Sequence, residues 1–196
     1  MVLLLTIMME INQFTSKVYN HLMFKIKKTI YPKTLIIHGK IRIYGTGNIR
    51  IGKNCTINSC ESSNPIGGFN HSLFRTFKDG EIILGNRVGI SNSALVSYSH
   101  IEIGDDTIIG GSCRIYDSDF HPLDVDKRVS RKNEVAVSKP IRIGKRVFIG
   151  ANCAILKGVT IGDDAIIGLG SVVTKDVGEH EVWAGNPARF IRRTNT

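Results

Sequence analysis

The sequence predicts an all-β repeat protein, a left-handed parallel β-helix, and three observations carry that prediction. Aliphatic residues recur every six positions, a small or β-branched residue follows most of them four places later, and the 196 residues include twenty glycines. A period of six fits neither a helix nor a simple alternating strand, but it fits a flat segment followed by a corner. Three such sides close a triangular coil, in which each aliphatic side chain points inward and stacks on its copy in the next coil.

The repeat is most regular after Pro140. The aliphatic positions there are Ile143, Ile149, Ile155, Ile161, Ile167 and Val173, and the small positions are Val147, Cys153, Val159, Ala165, Ser171 and Val177. The same pattern covers residues 84–97 and, after a slip of one residue, 103–116. Hexapeptide repeats are typical of the left-handed coil, a rare exception to the right-handed crossover rule. A β-sandwich, the competing fold, needs turn signals about every 8–12 residues and does not produce a strict period of six residues.

The chain divides into three segments. Residues 1–35 form an apolar and basic segment, with a helix predicted over 10–31 that packs on the first coil through one apolar stripe. The members of that stripe are Ile11, Phe14, Val18, Leu22 and Ile26. Residues 36–178 form the β-helix, with an irregular stretch at 59–82 and a polar loop insertion at 117–140. Residues 179–196 leave the period and are expected to cap the last coil, because a solenoid exposes sheet edges at its ends.

The net charge of +9 is concentrated at one end of the chain. Residues 1–53 hold nine lysines and arginines against the single acid Glu10, which gives +8. The repeat body is therefore close to neutral and carries no basic stripe with interleaved aromatics, which argues against nucleic acid as a partner. For the basic segment the sequence leaves two interpretations open, a solvated helix face and peripheral contact with anionic lipid.

The cysteines and the N-terminus predict a cytoplasmic protein. Cys55, Cys60, Cys113 and Cys153 show no metal-ligand spacing with histidine and are expected to be reduced thiols, three of them in the core. The apolar start, residues 2–9, is too short to span a bilayer and lacks the flanking pattern of a signal peptide, so no export is expected. Action at the inner face of the membrane is compatible with this location.

The insertion opens with Asp-Ser-Asp-Phe-His-Pro-Leu-Asp at residues 117–124. Together with Gly-Val-Thr-Ile-Gly at 158–162, Gly-Ser-Val-Val-Thr-Lys-Asp at 170–176 and Ala-Gly-Asn-Pro-Ala-Arg at 184–189, it resembles the hexapeptide-repeat acetyltransferases. The likeness is greatest to the branch of sugar and polysaccharide O-acetyltransferases that includes maltose and galactoside acetyltransferases, and it covers about residues 82–193. It implies a homotrimer that moves an acetyl group from acetyl-CoA to a saccharide hydroxyl in surface polysaccharide biosynthesis, with no metal required.

The resemblance assigns roles to individual residues. His121 would be the catalytic base, since a histidine can accept the hydroxyl proton at neutral pH. Asp119, Asp117 or a backbone carbonyl would orient its ring. Asn92 and His71 would line the acceptor pocket, although a structural role for His71 stays open. Acetyl-CoA would lie in the groove between two subunits and contact Ala151, Leu169, Thr174, Lys175, Arg189 and Arg192.

Three alternatives remain open at this point. An N-acetyltransferase acting on an amino or nucleotide sugar would share the fold and the donor, but such relatives often carry an N-terminal nucleotide-binding domain, for which residues 1–35 are too short. A γ-type carbonic anhydrase would need a closely spaced histidine pair for zinc, whereas His100 and His121 are 21 residues apart. A non-catalytic β-helix would have no use for a His-Pro-Leu-Asp sequence at the start of the insertion.

Overall fold

A computed structural model of the chain describes residues 2–64, 66–67, 70–77, 79–130 and 136–194, and of residues 2–11 it describes the backbone. Its strands form three sheets, the faces of a prism around which the chain winds, so that successive strands visit faces I, II and III in rotation until the C-terminal hairpin. Neighbouring coils pair in parallel on every face. The parallel β-helix predicted from the six-residue period is confirmed.

Face I contains β1 (Ile36–Gly39), β4 (Thr56–Ser59), β7 (Gly89–Ser91), β10 (Ile108–Ile109), β13 (Phe148–Ile149), β16 (Ile166–Ile167), β18 (Glu181–Gly185) and β19 (Ala188–Arg193). Face II contains β2 (Arg42–Gly45), β5 (Leu73–Thr76), β8 (Ala94–Ser97), β11 (Arg114–Tyr116), β14 (Ala154–Leu156) and β17 (Val172–Val173). Face III contains β3 (Asn48–Ile51), β6 (Glu81–Leu84), β9 (His100–Ile103), β12 (Ile141–Ile143) and β15 (Thr160–Ile161). The chain passes between faces at three edges, which are named I–II, II–III and III–I after the faces they join.

The core is a set of aliphatic columns along the prism axis. On face I, Ile90, Ile109, Ile149 and Ile167 are consecutive partners in register, and each is almost completely buried. Each buried isoleucine contributes about 1.5–3 kcal/mol through the apolar surface that it removes from water. The small repeat positions lie next to these columns, and three of the four cysteines, Cys55, Cys113 and Cys153, are buried there as free thiols.

The III–I edge is built from stacked turns joined by ion pairs. Arg87 donates to both carboxylate oxygens of Asp106, at 2.6 and 2.7 Å, and Arg146 repeats the arrangement with Asp164 at 2.7 Å for both bonds. All four residues have left-handed backbone conformations, with φ between 54° and 61°. The hydrogen bond from its arginine holds the pKa of each of these aspartates below its usual value.

The N-terminal helix α1 (Val2–Ile26) is present as expected, but its predicted packing face is wrong. Phe14, Val18, Leu22 and Ile26 are 68, 54, 54 and 59% exposed. The face turned to the β-helix carries Ser16, Asn20 and Phe24, which are buried. The side chain of Ile11, the fifth member of the predicted stripe, lies outside the described residues.

A single asparagine explains this choice of face. Asn20 Nδ2 donates to the carbonyl of Gly39 at 2.9 Å, and Asn20 Oδ1 accepts from the amide of Ile41 at 3.0 Å. These two bonds satisfy the open backbone groups at the end of β1, and the ring of Phe24 packs at 4.6 Å from that of Tyr31. Pairing of the exposed strand end therefore decides the orientation of α1, and its apolar stripe faces outward.

The irregular stretch at 59–82 is shorter than the sequence predicted. β5 occupies residues 73–76 and β6 begins at Glu81, so the break in the coils covers 60–72 and contains a 3₁₀ turn at Glu61–Ser63. Phe74 takes the inward position and is fully buried, where the other coils have an aliphatic residue. The aromatic substitution hid the repeat.

The C-terminal residues cap the last coil as predicted. β18 pairs with β16 in parallel, and β19 then turns back antiparallel to β18. The free edge of β18 is therefore covered by β19 in a hairpin. Among the residues that the structure describes, no helix is both long and apolar enough to cross a bilayer.

Candidate active site

The long insertion leaves and returns at the II–III edge. It follows β11, carries the short helix α2 (Val125–Ser130) and leads into β12, and its residues 131–135 lie outside the described range. Its two ends are tied together: the amide of Lys139 donates to the Asp117 carbonyl at 2.9 Å, and the amide of Asp119 donates to the Val137 carbonyl at 3.2 Å. A bridge between Ser118 and Ser138 lies between these bonds. Residues 117–119 and 137–139 are thus hydrogen-bonded to each other, and we call this paired segment the neck of the insertion.

Asp117 anchors this neck to the body. Its side chain is completely buried, and its Oδ1 accepts from the amide of Tyr98 at 2.7 Å. Its Oδ2 accepts from the Ser97 hydroxyl and from the Ser99 amide, both at 2.8 Å. The carboxylate is thereby committed to the turn that joins β8 to β9. This gives Asp117 a structural role, and the orientation of the His121 ring by Asp117 stays a prediction.

An aromatic cluster supports the residue before the candidate base. Phe120 meets the rings of Tyr98 and Tyr116 edge to face, with centroids 5.9 and 5.2 Å away, and Tyr98 stacks on Phe77 at 3.7 Å. Phe120 has φ = 63°, which is costly for a bulky side chain and persists only where the surroundings fix it. His121 follows directly, exposed to solvent at the end of this cluster.

Asp119 forms an ion pair with Lys157, whose Nζ is 2.7 Å from Oδ1. The other oxygen, Oδ2, is buried and has no hydrogen-bond partner among the described residues. Neither Asp119 nor Asp117 bonds to the His121 ring within that part of the chain. Oδ2 of Asp119 is an open acceptor two residues from the imidazole, so a role for Asp119 in orienting His121 stays a prediction.

Asn92 and His71, the two residues predicted to line an acceptor pocket, lie together at the I–II edge. They line a cavity of about 210 Å³ whose other lining residues are Arg42, Asn70, Leu73, Ala94, Ser112, Cys113 and Arg114. Asn92 is buried, its Nδ2 donates to the Asn70 carbonyl, and its Oδ1 has no donor among the described residues. Because a carbonyl can only accept, this bond fixes which side of the amide is Nδ2.

His71 is held by its Nδ1, which lies 2.7 Å from the carbonyl oxygen of Ser59. That oxygen accepts, so Nδ1 carries the hydrogen, and in the neutral ring Nε2 keeps its lone pair. The half-buried ring therefore offers an acceptor in the same cavity as Asn92.

The residues expected to contact acetyl-CoA fall in three places. Ala151 and Leu169 follow β13 and β16 at the I–II edge, one coil apart, and Arg189 lies beside them because it pairs with Ala184 near the end of β18. Thr174 and Lys175 follow β17 at the II–III edge, the edge of His121. Arg192 pairs with Val182 at the start of β18 and so lies at the far end of the hairpin.

Apart from Arg192, the candidate residues thus divide between two edges of one face. Asn92, His71 and the first group of donor contacts line the I–II edge, and His121 with Thr174 and Lys175 lies on the II–III edge. Face II separates them, and its four-residue strand β8 spans about 10–13 Å at 3.2–3.4 Å per residue. One β-helix therefore does not bring its own His121 to its own Asn92.

Three charged residues of these edges were missed from the sequence. Arg42 and Arg114 line the cavity that contains Asn92 and His71, and Lys157 pairs with Asp119. The alternation of the strands predicts that Arg42 and Arg114 point outward, but nothing in it indicates which outward arginines lie near one another. Among the described residues, no group of three or more histidine, cysteine or acidic side chains is arranged to hold a metal ion.

Comparison with known proteins identifies the repeat. Residues 140–175 match the family model described as the hexapeptide repeat of succinyl-transferase. The search of curated proteins gave no significant match.

Solved structures share the fold over most of the chain. AntD, an N-acyltransferase from Bacillus cereus, is 22% identical, with 90% of this chain and 89% of that chain covered and a TM-score of 0.70. A maltose O-acetyltransferase from Clostridium difficile 630 is 24% identical, with 96% and 89% covered and a TM-score of 0.60. The polysialic acid O-acetyltransferase OatWY is 20% identical, with 84% of each chain covered and a TM-score of 0.59. These likenesses show the fold: the chain is a left-handed parallel β-helix like these acyltransferases, and a hexapeptide repeat is matched over residues 140–175.

Proposed function

We propose that the protein is an acetyl-CoA-dependent O-acetyltransferase that acts on a saccharide in surface polysaccharide biosynthesis, with His121 as general base. The observation that carries this proposal is the neck of the insertion. The buried carboxylate of Asp117 and the aromatic cluster around Phe120 fix the residues that lead to a solvent-exposed histidine in a His-Pro-Leu-Asp sequence. The fold shared with a maltose O-acetyltransferase and with a polysialic acid O-acetyltransferase supports the same reaction class.

The chemistry needs one proton to move twice. The acceptor hydroxyl oxygen attacks the thioester carbonyl carbon while His121 takes the hydroxyl proton, and a C–O bond forms. The C–S bond then breaks, and the imidazolium returns the proton to the leaving thiolate, which yields the acetyl ester and free coenzyme A. Positioned base catalysis of this kind contributes about 10²–10⁴-fold in rate.

The division between two edges supports a homotrimer. If the II–III edge of one subunit lies against the I–II edge of the next, His121 faces the neighbour's acceptor cavity, and the candidate donor contacts of both subunits line one groove. We expect sedimentation to give a trimer. Co-expression of His121→Ala with Asn92→Ala chains should restore part of the activity that each lacks alone, because mixed trimers contain one intact site. A fully active monomer would contradict this arrangement.

The activity test is acceptor-dependent release of thiol from acetyl-CoA with a panel of saccharides. His121→Ala should lower kcat by about a hundredfold or more. His38→Ala, which removes another exposed histidine on β1, is the matched control and should leave the rate unchanged. Equal rates for the wild type and His121→Ala would show that His121 is not the base.

N-acetyl transfer is the second candidate, favoured by the fold shared with AntD, a structure obtained with dTDP-4-amino-4,6-dideoxyglucose and coenzyme A. Amino sugars and their hydroxyl counterparts should be compared in the same thiol assay. The product separates the two reactions, since alkaline hydroxylamine cleaves an acetyl ester and leaves an acetamide intact. A hydroxylamine-stable product formed from amino sugars alone would replace O-transfer with N-transfer.

The outward stripe of α1 supports peripheral contact with the inner, anionic face of the cytoplasmic membrane. The stripe formed by Phe14, Val18, Leu22 and Ile26 lies opposite the packing face, exposed lysines flank it, and residues 1–53 carry +8 of the +9 net charge. The protein should float with anionic vesicles and less with zwitterionic ones. Val18→Gln should weaken flotation, and Val129→Gln, which changes a still more exposed valine in α2, should not. If both variants float with anionic vesicles to the same extent as the wild type, the proposed membrane contact is wrong.

A further inference from the structure

The acceptor cavity is flanked by two arginines on the outer surface of face II. Arg42, Leu73, Ala94 and Arg114 are consecutive partners in register across β2, β5, β8 and β11. Neighbouring strands lie about 4.8 Å apart, so the two arginine backbones are separated by about 14 Å. Leu73 and the small Ala94 form the floor between them, and the cavity opens above this floor.

Within the part of the chain that the structure describes, these arginines lack the carboxylate partners that Arg87 and Arg146 have. Arg87 and Arg146 are bound to aspartates through two hydrogen bonds each. In the described ranges, the guanidinium groups of Arg42 and Arg114 form neither an ion pair nor a hydrogen bond, and no carboxylate is among the residues that line the cavity. The cavity therefore concentrates positive charge that no described residue neutralises.

Two hydrogen-bond acceptors complete the lining. Asn92 is 98% buried, with its Oδ1 unpaired, and a buried oxygen without a donor is costly unless a ligand supplies one. His71 adds Nε2, since its Nδ1 is held by the Ser59 carbonyl. Sugar hydroxyls are donors of the required kind. A volume of about 210 Å³ is below the roughly 300 Å³ at which pockets for larger organic ligands begin, so it suits one sugar residue.

We infer that this cavity selects an anionic saccharide, a sugar residue with a carboxylate or a phosphate group, as the acetyl acceptor. Arg42 and Arg114 bind the anionic group through charge-assisted, bidentate hydrogen bonds, and Asn92 Oδ1 and His71 Nε2 accept from its hydroxyls. The inference rests on the proposed acetyl transfer for the word acceptor, but the binding selectivity can be measured without it.

The experiment is calorimetric titration of the full-length protein, without acetyl-CoA, with glucose, glucuronate and glucose 6-phosphate. We expect one of the two anions to bind at least about tenfold more tightly than glucose, and the two anionic arms distinguish carboxylate from phosphate. Arg42→Gln and Arg114→Gln should each weaken that binding about tenfold or more. Arg142→Gln, which removes an exposed arginine from face III, is the matched control and should change it less than twofold.

The outcomes separate this inference from the proposed function. Equal binding of glucose and both anions, or equal effects of the face II and face III substitutions, would overturn the inference. Thiol release with neutral sugars only would overturn it as well and leave acetyl transfer standing. Selective anion binding that depends on Arg42 and Arg114 would support it even if no thiol is released, in which case the proposed reaction alone would fail.

Discussion

Asp117→Asn tests whether Asp117 shapes the neck of the insertion or acts on the catalytic ring. The native carboxylate accepts from Tyr98, Ser97 and Ser99 in a fully buried position. Asparagine has the same size but offers one oxygen and an NH₂ group. In either orientation of the amide, at least one of the two backbone N–H groups loses its acceptor and faces a donor.

The magnitude follows from these contacts. A hydrogen bond to a charged group contributes about 1.5–3 kcal/mol, and an unsatisfied buried donor costs about 1–3 kcal/mol. We therefore expect Asp117→Asn to lower the free energy of unfolding by about 3 kcal/mol or more. For a chain of this length each kcal/mol corresponds to about 2–4 °C in Tm, which gives a drop of about 6–12 °C.

Thermal unfolding followed by circular dichroism measures this effect, and kcat is determined well below the lowered Tm. Asp126→Asn, an exposed aspartate in the same insertion, is the matched control and should leave Tm unchanged within about 1 °C. If Asp117 acts structurally, Tm falls, and any loss of kcat comes from displacement of the neck and accompanies the loss of Tm. An unchanged Tm together with a large loss of kcat would refute the reasoning and return Asp117 to the role of orienting His121.

Two further predictions concern the coil itself. Gly45→Ala should destabilise the protein by more than about 3 kcal/mol, because φ is 101° at this position and an added Cβ would collide with the Thr76 backbone. Gly89→Ala is the control and should be tolerated, because a Cβ added there meets nothing closer than 4.0 Å. Measuring the Tm of the two variants checks this prediction. Since Arg146 lowers the folded-state pKa of Asp164, their pair stabilises the protein at neutral pH and loses this contribution as the pH falls through that pKa. The Tm difference between the wild type and Arg146→Gln should therefore be positive at neutral pH and shrink in acid, and a difference that does not depend on pH would contradict this.

Local pattern was sufficient for the fold and misleading for its N-terminal helix. The period of six predicted the coils because each inward side chain must pack on the inward side chain one coil away, and every repeat therefore has an apolar residue at that position. The packing face of α1 was predicted wrongly because hydrophobicity favoured Phe14, Val18, Leu22 and Ile26. Asn20 decided otherwise by pairing with backbone groups of Gly39 and Ile41, which no property of the helix sequence reveals.

The same division holds for the candidate site. The sequence by itself determined the triangular β-helix, the position of the long insertion and the identity of the histidine at its start, because these depend on periodicity and on a contiguous motif. Only the tertiary structure decided that the Asp117 carboxylate accepts hydrogen bonds from the turn at Tyr98, and that Asn92 and His121 lie on different edges of face II. It also brought Arg42 and Arg114 to one cavity, since residues 72 positions apart become neighbours only when successive coils stack in register.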